Sequence, residues 1–479
     1  MGVAVGRGPG YDARAPTAKV RIMARAALLL LVLALAALAL LAAGPRAILL
    51  LLIGVGFGLV LEGLRFGFAG PWRLLVAERD ARGFLAQLIA IGATAAVAIP
   101  LIAGAGGELQ GAAAPVGIAM IAAAFVFGAA MQVVMGCGSG TLVNAGSGNL
   151  VGALALFGFI AGSFAGTLHL GAFAALGTLP VITLQGVAGT GGAVALTLAG
   201  LALAGGLALR AAQPGRRMPP ARLWLAAGLI AALATLNLIV AGQPWGVVYG
   251  LGLWGAKIAT GLGADLSGAA FWAQPANARR LAETILADVT SVTNIGLIAG
   301  AFIVMRWRAP TAQVAPLAPR GWLAVLAGGL VLGYSARLAM GCNVGAFFSG
   351  IASGSLHGWV WFAAAFAGSR LGVGLRGRLL LPARTRGPRH ERGPPPTPPR
   401  TPHRRRPRAR PRARARAPRS RAHGRARPAR AAAPGRARLG ARTLRRALHP
   451  RLSARPQGGP AFHGCPAGRL PARPHLCAR

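Results

Sequence analysis

Phe125-Val-Phe-Gly-Ala-Ala-Met-Gln-Val-Val-Met-Gly-Cys-Gly-Ser-Gly140 returns 205 residues later as Leu330-Val-Leu-Gly-Tyr-Ser-Ala-Arg-Leu-Ala-Met-Gly-Cys-Asn-Val-Gly345. Gly128, Met135, Gly136, Cys137 and Gly140 recur as Gly333, Met340, Gly341, Cys342 and Gly345. With a one-residue slip the match continues. Ser147-Gly148-Asn149-Leu150 stands against Ser353-Gly354-Ser355-Leu356, and Ala161-Gly162-Ser163 against Ala367-Gly368-Ser369. A second pairing, at an offset of 192, sets Gly58-Leu59-x-Leu61-x-Gly63-x-Arg65 against Gly250-Leu251-x-Leu253-x-Gly255-x-Lys257. The chain therefore reads as two related halves, split near the basic stretch Arg210 to Arg222. Membrane folds duplicated in this way place their substrate near the bilayer midplane, where the repeats meet.

Around the repeat the sequence is written for lipid. Of 479 residues 54% are hydrophobic, and 52 Lys and Arg face only 9 Asp and Glu, which excludes an ordinary soluble domain. The charge is uneven, since residues 376–479 hold 30 arginines and one acid, Glu391. Residues 27–43 form an unbroken Ala/Leu run, and ten more apolar stretches follow near 47–62, 84–103, 114–134, 150–168, 193–210, 222–241, 245–261, 282–305, 322–340 and 357–375. Runs of this length cross a hydrocarbon layer of about 30 Å as helices. The expected fold is an all-α polytopic integral membrane protein. Its parts are a basic N-terminal segment (1–25), a first half with an additional N-terminal helix (26–209), a basic cytoplasmic linker (210–222), a second half (223–375) and a disordered Arg/Pro-rich tail (376–479). The tail holds 19 of the 34 prolines and cannot build a core. It reads as GC-rich DNA translated out of frame or otherwise non-native, so no specific nucleic-acid partner is expected, and Met23 reads as an alternative start.

The basic loops put the N-terminus and Arg210, Arg216, Arg217 and Arg222 in the cytoplasm, with Glu108 opposite. The second half fits this alternation less simply. Arg306, Arg308 and Arg320 ask for a cytoplasmic loop where a count of spans puts an outside one, unless a segment near 245–280 dips in and returns.

Each half carries a Met-Gly-Cys followed by a glycine-, serine- and asparagine-rich stretch, Gly138 to Asn149 and Asn343 to Ser355. These are too polar for lipid and too apolar for a solvated loop, and irregular backbone at membrane depth occurs only where it is buried in protein or lines a cavity. Both read as re-entrant segments whose glycines (Gly136, Gly138, Gly140, Gly341 and Gly345) and Asn343 present backbone N–H groups to an anion, at the positive end of a short helix. Cys137 and Cys342 are the sharpest candidates, being thiols at equivalent places of a repeat. Arg65, Lys257 and Arg337, with Arg370, stand beside these motifs as charge-compensating residues. Nothing reads as a metal or cofactor site: there is no Cys-x-x-Cys, no phosphate loop, and no strand ahead of the glycine-rich Gly54 to Gly58.

Arg337-Leu-Ala-Met-Gly-Cys342-Asn-Val-Gly-Ala-Phe-Phe-Ser-Gly350 and Gly136-Cys137-Gly-Ser-Gly-Thr141 resemble the signature segments of the YeeE/YedE sulfur-compound transporters. The resemblance spans roughly residues 47–375. It implies a bacterial inner-membrane transporter rather than an enzyme, with thiosulfate as substrate, Cys137 and Cys342 lining the path, and a TusA-type sulfur-carrier protein as partner. One departure is visible: the family commonly has a cysteine where Arg65-Phe66-Gly67-Phe68 has Gly67. A neutral buried thiol offers a weak S–H donor to the soft sulfur of thiosulfate while backbone N–H groups take the oxygens. The rival readings are uptake of another sulfur or selenium species, a membrane thiol enzyme working through a covalent Cys intermediate, and a non-transporting membrane anchor.

Overall fold

In lipid a backbone has no water to bond, so each long apolar run closes its own hydrogen bonds as a helix. The computed structural model describes residues 37–308 and 319–380, with Leu28, Leu30, Leu33, Ala34 and Leu35. The basic N-terminal segment and the tail beyond residue 380 lie outside the described residues. After an apolar helix, Leu33–Ala43, the chain forms α1 (Pro45–Gly63), α2 (Ala69–Glu78), α3 (Arg82–Gly104), α4 (Ile118–Val133), α5 (Gly138–Gly146), α6 (Leu150–Ala174) and α7 (Leu184–Ala211). It continues with α8 (Ala221–Ala241), α9 (Val248–Gly261), α10 (Pro275–Ala282), α11 (Val289–Trp307), α12 (Pro319–Leu338), a π-helix (Asn343–Gly350) and α13 (Leu356–Leu380). Eight helical stretches among the described residues are long and apolar enough to cross a membrane, and two of them, Ile118–Gly146 and Pro319–Gly350, join a helix to the short element that follows it. The protein is a multi-pass membrane protein.

Hydrogen bonds between distant loops fix the two ends of the bundle. At the first end Ala81 N–H donates to Arg216 O (3.0 Å), Gln213 N–H to Arg79 O (3.0 Å) and Arg308 Nη2 to Gly63 O (2.6 Å). At the second, Gln110 N–H donates to Gly242 O (2.9 Å), Leu179 N–H to Val116 O (2.8 Å), Leu356 N–H to Ile182 O (3.0 Å) and Gln243 Nε2 to Thr290 Oγ1 (3.3 Å). Helix directions follow. α1, α4 with α5, α7, α11 and α13 start at the second end, and α3, α6, α8 and α12 with the π-helix start at the first.

The packing then pairs the halves. α12 lies on α6 as α4 lies on α13, α11 on α1 as α3 on α8, and α9 on α6 as α2 on α13. The counterparts are thus α1 and α8, α2 and α9, α3 and α11, α4 and α12, α5 and the π-helix, α6 and α13. The crossing elements of each pair run in opposite directions, the arrangement of an inverted repeat, and α7 has no counterpart. The pairing at offset 192 is corrected by this: it aligns α1, a full crossing, with the 14-residue α9, whose counterpart is α2. The chain from Gln243 to Thr290 leaves from and returns to the second end, so Arg306 and Arg308 fall at the first end with the other basic loops.

Small residues let these helices touch. A Cβ on Gly162 would collide with Leu330 O, and one on Gly368 with Phe125 O, so the α6–α12 and α4–α13 crossings bring backbone against backbone. The same two contacts hold one half to the other.

Candidate functional site

Two interruptions meet where the halves cross. α4 stops at Val133 and α12 at Leu338, and in each half the chain then turns through a methionine with positive φ, Met135 (59°) and Met340 (59°). This region disfavours side chains with a Cβ, and the same strained turn at both places re-aims the backbone. Cys137 and Cys342 follow as the extended residues that cap α5 and the π-helix, with neither side chain bonding the helix start. Ser139 and Gly140 lie in the first turn of α5, and Val344 and Gly345 in the first turn of the π-helix. Those four residues are equivalent at the offset of 205.

The two cysteines are buried, 1% and 0% exposed, and close together. A Cβ on Gly138 would lie 3.0 Å from the Cys342 sulfur and 3.5 Å from Phe159 Cζ, so the Cys342 thiol rests on the backbone next to Cys137. Cys137 Sγ is 3.4 Å from Ser139 Oγ, and Thr141 Oγ1 donates to Gly138 O at 2.8 Å. The side chain of Asn343 is fully buried, and neither its Oδ1 nor its Nδ2 has a partner.

A cavity of about 420 Å³ reaches Cys137 from the first end. Its inner wall is Met135, Gly136, Cys137, Ser139 and Gly140, and Phe66, Gly67 and Phe68 line it ahead of α2. Arg65, Arg82 and Arg222 stand on it with Glu62 and Asp80. Arg65 pairs with Glu62 (3.0 Å) and Arg82 with Asp80 (Nε to Oδ1 3.0 Å), leaving three guanidiniums against two carboxylates. Arg82 donating to Asp80 holds that carboxyl below its ordinary value of 3.8. Toward the second end a small void of about 10 Å³, bounded by Trp245, Phe348 and Ser349, is nearer the size of one water. Between the two lies an aromatic plug. Phe57 stacks on Trp245 at 3.8 Å, and Phe68 and Phe348 close around it at 6.4 and 5.9 Å.

The structure thus brings Cys137, Cys342, Gly136, Gly138, Gly140, Gly345 and Arg65 into one region. Lys257 is drawn elsewhere: its Nζ donates to the carbonyls of Leu281 (2.6 Å) and Glu283 (2.5 Å), closing the α9–α10 turn. Arg337 lies in the last turn of α12 against the rings of Tyr249 (5.7 Å) and Phe271 (5.0 Å). Sequence reasoning missed Arg82, Arg222, Ser139, Phe68 and Trp245. Asp80-x-Arg82 was a visible local pair, but no linear signal joins Trp245 to Phe57. Among the described residues no group of three or more His, Cys, Asp or Glu could hold a metal ion.

A family model described as "Sulphur transport" matches residues 64–371. The "Probable transporter YedE" of Salmonella typhimurium (strain LT2) is 31% identical over 154 residues, 32% of this chain and 37% of that protein. The protein of the same name in Escherichia coli (strain K12) is 28% identical over 149 residues, 31% of this chain and 35% of that protein. Those alignments take in little more than a third of each relative, whereas the family match spans both cysteines and most of the cavity lining. On that match this membrane protein belongs to the sulphur transport family.

Proposed function

We propose that the protein carries a sulfur-containing anion, thiosulfate in the first instance, across the bacterial inner membrane through a path lined by neutral cysteine thiols and by backbone N–H groups. The observation that carries this reading is the contact of the Cys342 thiol with the Gly138 backbone beside Cys137, at the place where two oppositely directed halves interrupt their helices. Thiosulfate has one soft sulfur and a hard oxygen end. The thiols match the first through weak S–H donation. The N–H groups that open α5 and the π-helix match the second, helped by the positive ends of those elements. Asn343, with an unused donor and acceptor, adds a neutral polar contact. By the excess of basic loops the first end is cytoplasmic, so the large cavity is the inward vestibule. A TusA-type carrier would receive the sulfur species there, at the mouth bearing Arg65, Arg82 and Arg222. Passage between vestibule and outer void requires the Phe57, Phe68, Trp245 and Phe348 rings to part.

Cys137→Ala and Cys342→Ala test the reading. Each is expected to abolish uptake of labelled thiosulfate by proteoliposomes while the protein still inserts and purifies. Wild-type uptake by either variant refutes the role. A thiol enzyme would instead show a cysteine alkylated rapidly at neutral pH, and a buried protonated thiol reacts slowly. Competition by other sulfur and selenium oxyanions identifies the substrate.

A further inference from the structure

We propose that Arg337 is a separate anion-binding station in the outer part of the second half, taking the oxygen end of a sulfur oxyanion before the cysteines are reached. Its route rests on the transport reading; its ligand does not. The guanidinium is shut in on one edge: Nε and Nη2 are both closed off from solvent and neither has a hydrogen-bond partner. These two N–H groups lie on the same side of the planar fork and match two oxygens of one oxyanion bidentately. No ion pair among the described residues involves Arg337. A charge at membrane depth without a counter-charge is costly, and residues kept at that cost are functional by default.

The other half supplies a control. At the offset of 205 the counterpart of Arg337 is Gln132, whose Nε2 donates to Ser369 Oγ (2.6 Å) and Ala69 O (3.2 Å). Ser163, the counterpart of Ser369, is present beside Arg337, but its hydroxyl donates to Val248 O (3.2 Å). Holding this crossing together therefore needs only a neutral amide, and the second half carries a charge with its edge unused. The space is made for it, since a Cβ on Gly252 would lie 2.7 Å from Arg337 Nη2 and 3.1 Å from Ser163 Oγ. Depth separates the station from the cysteines. The Arg337 stem packs on Gly166, whereas Phe159 touches Gly138. Seven residues of α6 put the two roughly 10 Å apart along the helix, toward the second end. In this structure the rings of Tyr249 and Phe271 cover the guanidinium, so the ligand enters as the Phe271 segment between α9 and α10 lifts.

Thermal unfolding of the purified full chain in detergent, titrated with sodium thiosulfate or sodium sulfate against sodium chloride at equal ionic strength, tests this. Either oxyanion should raise the wild-type midpoint in a saturable way. Arg337→Gln, which copies the other half, should abolish the shift without lowering the anion-free midpoint. Arg337→Lys, which loses the fork, should weaken apparent affinity at least tenfold. A shift with both supports the oxygen end as the ligand; a shift with thiosulfate alone would overturn it. The proposal is overturned if Arg337→Gln keeps the shift, if neither oxyanion moves the wild type, or if Arg337→Gln lowers the anion-free midpoint and Lys restores it, the pattern of a purely structural contact. Cys342→Ala separates the two readings. It should keep the shift while losing uptake, and normal uptake by it would remove the cysteine path and leave the Arg337 station standing.

Discussion

Gly138→Ala probes the contact on which the cysteine site depends. The new methyl would lie 3.0 Å from the Cys342 sulfur, 3.4 Å from Cys342 Cβ and 3.5 Å from Phe159 Cζ. The sulfur must retreat by a few tenths of an ångström, by rotation or by separation of the two segments. Overpacking of this kind costs about 1–3 kcal/mol. Gly138 has no positive φ, so alanine there also recovers about 0.4–1 kcal/mol of unfolded-chain entropy. The net expectation is a folded protein destabilised by roughly 0–2.6 kcal/mol, with thiosulfate uptake impaired because the thiol is displaced. The decisive quantity is a coupling. Cys342→Ala removes the atom that the methyl strikes, so in that background Gly138→Ala should lose its penalty, giving an interaction of about 1–2 kcal/mol in a double-mutant cycle. Unfolding equilibria of the four proteins in mixed micelles measure it. If the two substitutions are additive within about 0.5 kcal/mol, the sulfur does not rest on Gly138 and the paired-cysteine site fails.

A Cβ at Gly67 meets nothing within 4 Å and faces the vestibule. Gly67→Cys should leave stability within about 0.5 kcal/mol and accept a membrane-impermeant maleimide from the basic end, while Cys137 and Cys342 stay unlabelled; a Gly67→Cys variant that takes up no label would contradict the vestibule. Asp80 has a folded pKa lowered by Arg82, so its stabilisation is present above the unfolded value and lost as pH falls through the folded one. Asp80→Asn should therefore lower the thermal midpoint by a constant amount between about pH 5 and 8, with the difference from wild type closing only in acid below about 3.8; a difference that changes across the neutral range would refute the pairing.

The halves and the apolar spans were legible because each is written locally. An eighteen-residue apolar run admits one backbone solution in lipid, and Met-Gly-Cys recurs letter for letter. The true partner of α2 was not legible. α2 and α9 share a position in the packing and almost no sequence, whereas α1 and α9 share a glycine spacing that arises wherever helices cross closely. Lys257 shows the same limit. Its place beside a motif made it a candidate counter-ion, but its ammonium is claimed by carbonyls 24 and 26 residues away, a contact that no spacing rule encodes. The aromatic plug draws Phe57, Phe68, Trp245 and Phe348 from four separate stretches of the chain, so only the folded chain assembles it.

The division of charge along the proposed path follows from magnitudes. Two unit charges 4 Å apart attract by about 4 kcal/mol at an effective dielectric of 20, so a lone cation at the centre would hold a dianion by roughly 8 kcal/mol. That is on the order of a millionfold in release, and a path so loaded would bind without conducting. At the crossing point the chain places two cysteines, a serine and helix-opening backbone N–H groups, with no fixed charge among them. Its cations stand to either side. Arg65 and Arg82 are at the vestibule, each moderated by a carboxylate, and Arg337 lies toward the second end, in no ion pair among the described residues. By the same arithmetic, release from the proposed Arg337 station would be the slow step of the path, while the middle and the pair-screened exit hold the anion less tightly. Net import would come from the gradient or from capture of the product inside, because a fixed charge profile sets rates in both directions and cannot by itself choose one.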